Sequence, residues 1–396
     1  MPVISKHVFD EKIINDLRCK DLHKWNDNCL IANLWFAQKT FLGALKFFIP
    51  IYIVKALINH KKMKQKKFWI KLLQEEFRSS LYGALLAQPI LTGNCLIYNL
   101  TGHIHYYNIA LINGLVSAFA LLIETKENKM LDTLIFFNVM VESILRNLDH
   151  FNLMKMTNTN QTILFMLTAA LLMSSLQNRE ENFKFPHFWF YTPEKHIKRN
   201  SEDSIPKCEH DDSCTGFALK GISKYFLLGS SFSIAKKLIP NMLSIFQNPK
   251  SVFPILVNTE HVTFGAFIGT FVGIYRYVFC LLLTTNKLEQ KYYGAVAGFL
   301  SGSAYCLSPN LQVLAVGITT ILQLEYNKLL QKHKIKYKGV LQQIIYSIAH
   351  SILLHNAFAC RETCPKYYVN MLNVGSGNVY TDIYNSIVGK YFSDIS

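Results

Sequence analysis

Gly265-Ala266-Phe267-Ile268-Gly269-Thr270-Phe271-Val272-Gly273 and Gly294-Ala295-Val296-Ala297-Gly298-Phe299-Leu300-Ser301-Gly302 are the two stretches that decide how this chain is read. Each carries three glycines at four-residue spacing, inside the apolar segments Phe264–Leu283 and Tyr292–Cys306. In a helix, positions i, i+4 and i+8 fall near one face, so each segment presents a strip of bare backbone. In water, each such glycine costs roughly 1 kcal/mol relative to alanine. In a bilayer, lipid already solvates leucine, helices associate by close backbone approach, and small residues at this spacing permit it. The expectation is that the two glycine faces pack on each other. They would found a compact four-helix membrane unit running from Phe264 to Phe358.

Composition agrees with a membrane. Half of the 396 residues are apolar, only 17% are charged, and mean hydropathy is +0.16. The net charge of +15 is gathered in short runs between apolar segments. A nucleic-acid surface would instead show a basic face with interleaved aromatics, so no nucleic-acid partner is expected. Met1 to Lys24 is polar and basic, which does not suggest a cleaved secretory signal. Nine cysteines in uneven positions do not form a secreted disulfide framework.

Ten segments are candidates to cross: 41–59, 81–100, 106–123, 130–148, 162–176, 218–246, the glycine pair, 311–330 and 340–358. Lys61, Lys62, Lys64, Lys66, Lys67 and Lys71 form one basic run; Lys328, Lys332, Lys334, Lys336 and Lys338 form another. With both runs on one side, as the positive-inside rule asks, the turns at 101–105 and 307–310 fall opposite, and both lack charge. The runs also suit anionic lipid, worth about 1 kcal/mol per lysine near a surface. Segments 41–59, 130–148 and 218–246 carry internal charge and are the doubtful crossings; Glu142 and Arg146 are spaced to pair. Residues 1–180 thus read as membrane helices behind a Cys/His-Trp element, 181–218 as a charged linker, and 219–360 as an amphipathic helix plus the four-helix unit. Residues 361–396 read as a polar tail turning at Gly375-Ser376-Gly377.

Cys208-x-His210-x3-Cys214 has soft donors for zinc, which wants a fourth. Cys19, His23 and Cys29 would supply it only from the same side of the membrane, which ten crossings deny. The expectation is therefore no metal and no other cofactor, with Cys208, His210 and Cys214 as the residues to watch. Cys360-x3-Cys364 reads either as a disulfide or as a chance i, i+4 spacing. Arg276, Glu325 and His350 are ionisable residues at membrane depth, the polar lining of a conduit if there is one. His350 and His355 read first as buried core histidines, and Arg276 as snorkelling or pairing with Glu325. No nucleophile–base pair, P-loop, dinucleotide fingerprint or HExxH is present, so no catalysis is expected. Asn99-Leu-Thr101 and Asn160-Gln-Thr162 are glycosylation acceptors by pattern; a glycan on either would place the chain in the secretory pathway.

The run Gly265 to Arg276, together with Ala297-Gly298-Phe299-Leu300-Ser301-Gly302, resembles the C-terminal half of the transmembrane protein 135 family. Cys19…His23-x-Trp25-x3-Cys29 and Cys208-x-His210-x3-Cys214 resemble further features of that family, although this chain has fewer cysteines around the central cluster. The resemblance implies an all-α polytopic bundle in peroxisomal or mitochondrial membranes. It also implies an influence on mitochondrial fission and on peroxisome and lipid homeostasis, and a C-terminal half distantly similar to the mitochondrial inner-membrane import channels. A lipid or polypeptide conduit is the alternative function.

Overall fold

In a computed structural model, residues 3–177, 188–193, 208, 210, 213–238, 241, 245, 248–285, 288–332 and 338–391 are described. Most of the expected linker at 181–218 lies outside them, as do Lys334 and Lys336 of the second basic run. Among the described residues the regular structure is helical, with no strand. The helices are α1 (Lys6–Lys12), α2 (Cys19–Leu22), α3 (Cys29–Ile58), α4 (Lys66–Thr101), the irregular apolar α5 (Asn108–Ile123), α6 (Lys126–His150), α7 (Asn158–Gln177), α8 (Cys214–Leu238), α9 (Val252–Leu256), α10 (Glu260–Thr285), α11 (Tyr293–Gly302), α12 (Leu311–Lys332), α13 (Lys338–Ala359), α14 (Lys366–Gly375) and α15 (Val379–Tyr391). Four of these, α3, α4, α7 and α10, are long and apolar enough to cross a bilayer, where ten crossings were expected.

The chain forms two compact units, Met1–Asn147 with Lys336–Ser396, and Leu148–Ile335. These differ from the expected 1–180 and 219–360 division. Helix α7 belongs to the second unit and α13 to the first, because each finds its small-residue partner there.

In the first unit, the Asn28 side chain accepts from the amides of Leu30 and Ile31 and starts α3. This 30-residue helix turns its Leu30, Ile31, Leu34, Leu42, Leu57 and Ile58 outward, a stripe suited to lipid. It pairs with the 36-residue α4, which ends at Gly102 with φ +77°, a left-handed stop that glycine adopts without strain. Lys55 meets Glu75 of α4 at 2.7 Å beside the first lysine run. The expected Glu142–Arg146 pair forms at 2.8 Å on α6. The polar N-terminus and tail are not loose. Ile4, Phe9, Ile13 and Leu17 are buried together with Val379, Tyr384 and Ile387 of α15. The Gly375–Gly377 turn lies against α3, where a Cβ on Gly43 would stand 2.5 Å from the Gly375 carbonyl oxygen.

The second unit packs α7, α8, α10, α11 and α12 around an aromatic core. Phe165 stacks on Tyr305 with ring centroids 4.4 Å apart and meets Phe267 edge-on at 5.6 Å. The glycine strips do pack closely, but not on each other. The α10 strip faces α8: a Cβ on Gly269 would lie 2.7 Å from the Ile222 carbonyl oxygen, and Gly265 and Gly273 meet Phe226 and Ile222. The α11 strip faces α7: Gly294, Gly298 and Gly302 meet Met173, Ala169 and Met166, with Cβ distances of 2.9, 2.5 and 2.6 Å. The expected four-helix unit through Phe358 is thus replaced. Bare backbone fits best against another helix's carbonyl ridge, and α7 and α8 supply those ridges.

Candidate metal centres

Two clusters of cysteine and histidine recur with one plan. In the first, Cys19 opens α2, His23 follows it, Cys29 is the first residue of α3, and Cys95 comes from the last turns of α4. Their donor atoms all lie within 4.8 Å of one another. Cys29 Sγ is 3.5 Å from Cys19 Sγ and 3.4 Å from His23 Nε2. His23 is 1% exposed, and its Nδ1 sits 2.8 Å from the Asn26 carbonyl oxygen. A carbonyl only accepts, so Nδ1 carries the proton and Nε2 turns its lone pair to the cysteines. Asn33 donates to Cys95 Sγ at 3.8 Å, and Trp25 stacks beside Trp35 over the loop. Burial pushes the Cys19 thiol up to about 11, and the hydrogen bond and charge of Cys29 add to that rise.

In the second, Cys208 and His210 precede Cys214, the first residue of α8, and Cys280 comes from the last turns of α10. These donors also lie within 4.8 Å of one another. Cys208 and Cys214 Sγ atoms are 3.9 Å apart, and His210 Nε2 is 3.2 Å from Cys280 Sγ. Phe217 stacks on His210 at 4.6 Å, while the Arg276 guanidinium lies 4.1 Å above the Phe217 ring and donates to its carbonyl at 3.3 Å. A cavity of about 10 Å³ sits among these groups. Burial raises the Cys208 thiol as well.

The local triplets were legible, but neither fourth donor was. Cys280 completes the central triplet without recourse to Cys19, His23 or Cys29, which have their own fourth donor in Cys95. The missed signal is a repeat. Cys95 follows Cys29 by 66 residues, and Cys280 follows Cys214 by 66. Cys29 and Cys214, Cys95 and Cys280, and the first residues of α6 and α12 each lie 185 residues apart, far beyond a short-repeat period.

The ionisable residues at membrane depth do not form one lining. His350 accepts or donates at 2.9 Å with Ser117 and borders a large cavity of the first unit. Arg276 borders the second cluster, and Glu325 pairs with Lys328 at 2.6 Å. Cys360 and Cys364 are free thiols. The large cavity, about 550 Å³, is walled by apolar side chains of α3, α4, α6 and α13 to α15. Lys55, Tyr52, Ser79, Glu124 and Asn128 gather at one part of its wall. Ser79 donates to Glu124 at 2.7 Å, and Asn128 donates to the other Glu124 oxygen at 2.8 Å.

Residues 17–148 match the family model for the N-terminal cysteine-rich region of Transmembrane protein 135. The chain belongs to the transmembrane protein 135 family. The matched cysteine-rich region contains all four donors of the first cluster, so the residues that define it are those the fold converges. It ends inside α6, before the second cluster. With several lipid-suited helices, this family member is a multi-pass membrane protein. No solved structure matches the chain.

Proposed function

We propose that this is a non-catalytic protein of peroxisomal or mitochondrial membranes that holds an anionic lipid in its first unit. Through that lipid it acts on lipid homeostasis and on peroxisome upkeep and mitochondrial fission. The observation that supports the reading is the 550 Å³ cavity. Its volume lies within the roughly 300–1,000 Å³ of small-molecule sites, and such sites pair apolar walls with a few convergent polar groups. Lys55 stands at the polar part of the wall, on the helix that leads into the lysine run at 61–71, where an anionic headgroup finds cations. The organelle and fission parts rest on the family resemblance. The conduit alternative gains no support, because Arg276, Glu325 and His350 border different places.

The test is lipid retention. Protein purified in mild detergent is expected to carry anionic phospholipid in near one-to-one amount, and Ala87→Phe, which fills the cavity wall, is expected to release it while leaving the fold intact. Lipid-free wild type, or a variant that keeps its lipid, would overturn the binding reading. A tagged chain absent from both peroxisomes and mitochondria, or deletion that leaves mitochondrial length unchanged, would overturn the organelle reading.

A further inference from the structure

We propose that each Cys/His cluster, Cys19–His23–Cys29–Cys95 and Cys208–His210–Cys214–Cys280, binds one structural zinc ion that clasps the start of one long helix to the end of the next. Four donors around one zinc, with Zn–S bonds of about 2.3 Å, form a tetrahedron with edges of about 3.8 Å. The observed edges are 3.5 and 3.4 Å in the first cluster and 3.9 and 3.2 Å in the second.

The alternatives fit less well. A disulfide would draw two sulfurs to about 2.05 Å and leave a third thiol and an oriented imidazole without a role. An iron–sulfur cluster needs its ligands spread around two or more metal atoms. These donors all lie within 4.8 Å of one another, room for a single ion. Three sulfurs and one imidazole are the soft donors that zinc takes. All four positions are filled by protein, which marks a structural rather than a catalytic site.

The His23 tautomer supplies a second observation. Its proton is held on Nδ1 by the Asn26 carbonyl at 2.8 Å, an outer-shell bond of the kind that orients metal-bound histidine. A third is recurrence: the 185-residue offset builds the same Cys₃His set twice, from the same helix positions. On binding, each zinc displaces three thiol protons to solvent and keeps the histidine neutral, so the site carries one net negative charge.

The experiment is metal analysis of the full-length protein, purified in detergent without chelator. Wild type is expected to hold two zinc ions per chain, Cys95→Ser and Cys280→Ser one each, and the double variant none. Cys306→Ser, which changes an exposed thiol outside both clusters, is expected to keep both ions. Because a serine variant can fail to fold, wild-type protein exchanged into cobalt gives an independent readout. It should show a thiolate-to-cobalt charge-transfer band and the visible spectrum of a tetrahedral site. Zinc below half an ion per chain in wild type, iron in its place, a Cys19–Cys29 or Cys208–Cys214 disulfide by mass, or an octahedral cobalt spectrum would each overturn the proposal.

Discussion

The first unit encloses about 550 Å³, whereas the second leaves about 10 Å³ beside its cluster, although both follow one plan at an offset of 185 residues. The difference traces to six positions. Where the second unit has Gly265, Gly269 and Gly273, the first has Ser80, Ala84 and Gln88; where it has Gly294, Gly298 and Gly302, the first has Ile109, Asn113 and Ser117. Bare backbone lets α10 and α11 sink onto the carbonyl ridges of α8 and α7. Side chains in the first unit hold the helices apart and use their polar groups instead. Gln88 donates to Asn33, and Ser117 meets His350 at 2.9 Å. One unit is closed by shape and the other is held open by hydrogen bonds around a space.

The sharpest way to break that contrast is a leucine in the tight ridge. Gly298→Leu would drive a side chain into the Ala169 carbonyl, whose oxygen stands 2.5 Å from where the new Cβ would sit, so backbone must move. Overpacking of this kind costs about 3 kcal/mol. Thermal unfolding in detergent should show the loss, and an unchanged midpoint would mean that α7 and α11 are not in backbone contact. The first unit should respond instead to polar deletion. Glu142 is buried and accepts from Arg146 at 3.0 and 2.8 Å and from Tyr367 at 2.9 Å. Arg146→Met leaves that carboxylate with one neutral donor, a loss of about 2 kcal/mol. Restoration of stability in the double variant with Glu142→Gln would sharpen the assignment to the pair.

How much of this was legible in the sequence follows from the range over which each signal acts. The glycine spacing announced close helix contact, since a four-residue period is local. It did not name the partners, because a bare face fits any carbonyl ridge, and the α11 strip finds its ridge on α7, more than a hundred residues earlier in the chain. Cys19, His23 and Cys29 stood close enough to be seen as a set; Cys95 did not, and only the repeated 66-residue separation betrays it. The tail looked polar because its buried residues are mainly tyrosines. Tyr368 and Tyr384 are each 2% exposed, and a tyrosine buries its ring while its hydroxyl keeps an average hydropathy low. Helix α13 looked like part of the glycine unit because it follows it in sequence. Its Ser351 instead packs on Gly114 of α5, and its hydroxyl donates to the Leu111 carbonyl at 2.6 Å.

A smaller effect separates the two modes within the closed unit. The Tyr305 hydroxyl donates to Gln161 at 3.2 Å and accepts from the Asn310 amide at 2.8 Å, beneath a ring already stacked on Phe165. Tyr305→Phe keeps the stacking and removes both bonds, so about 1 kcal/mol should be lost. A loss near that of the leucine variant would show that hydrogen bonds, rather than shape, close the second unit as well.

The smallest expected change carries the most information about the open unit. Ala110 is 3% exposed to solvent yet borders the 550 Å³ cavity. In a filled core, Ala110→Leu would add three methylene-sized groups with nowhere to go and cost about 1–3 kcal/mol. Beside an open apolar space the same groups enter it and gain contact, so the midpoint should stay within about 0.5 kcal/mol of wild type or rise. The comparison with Gly298→Leu is then direct: leucine is introduced on one repeat's third helical segment in each case, with opposite consequences. If Ala110→Leu also unfolds the protein, the first unit is as full as the second, and the polar residues at the six positions have some task other than holding it open.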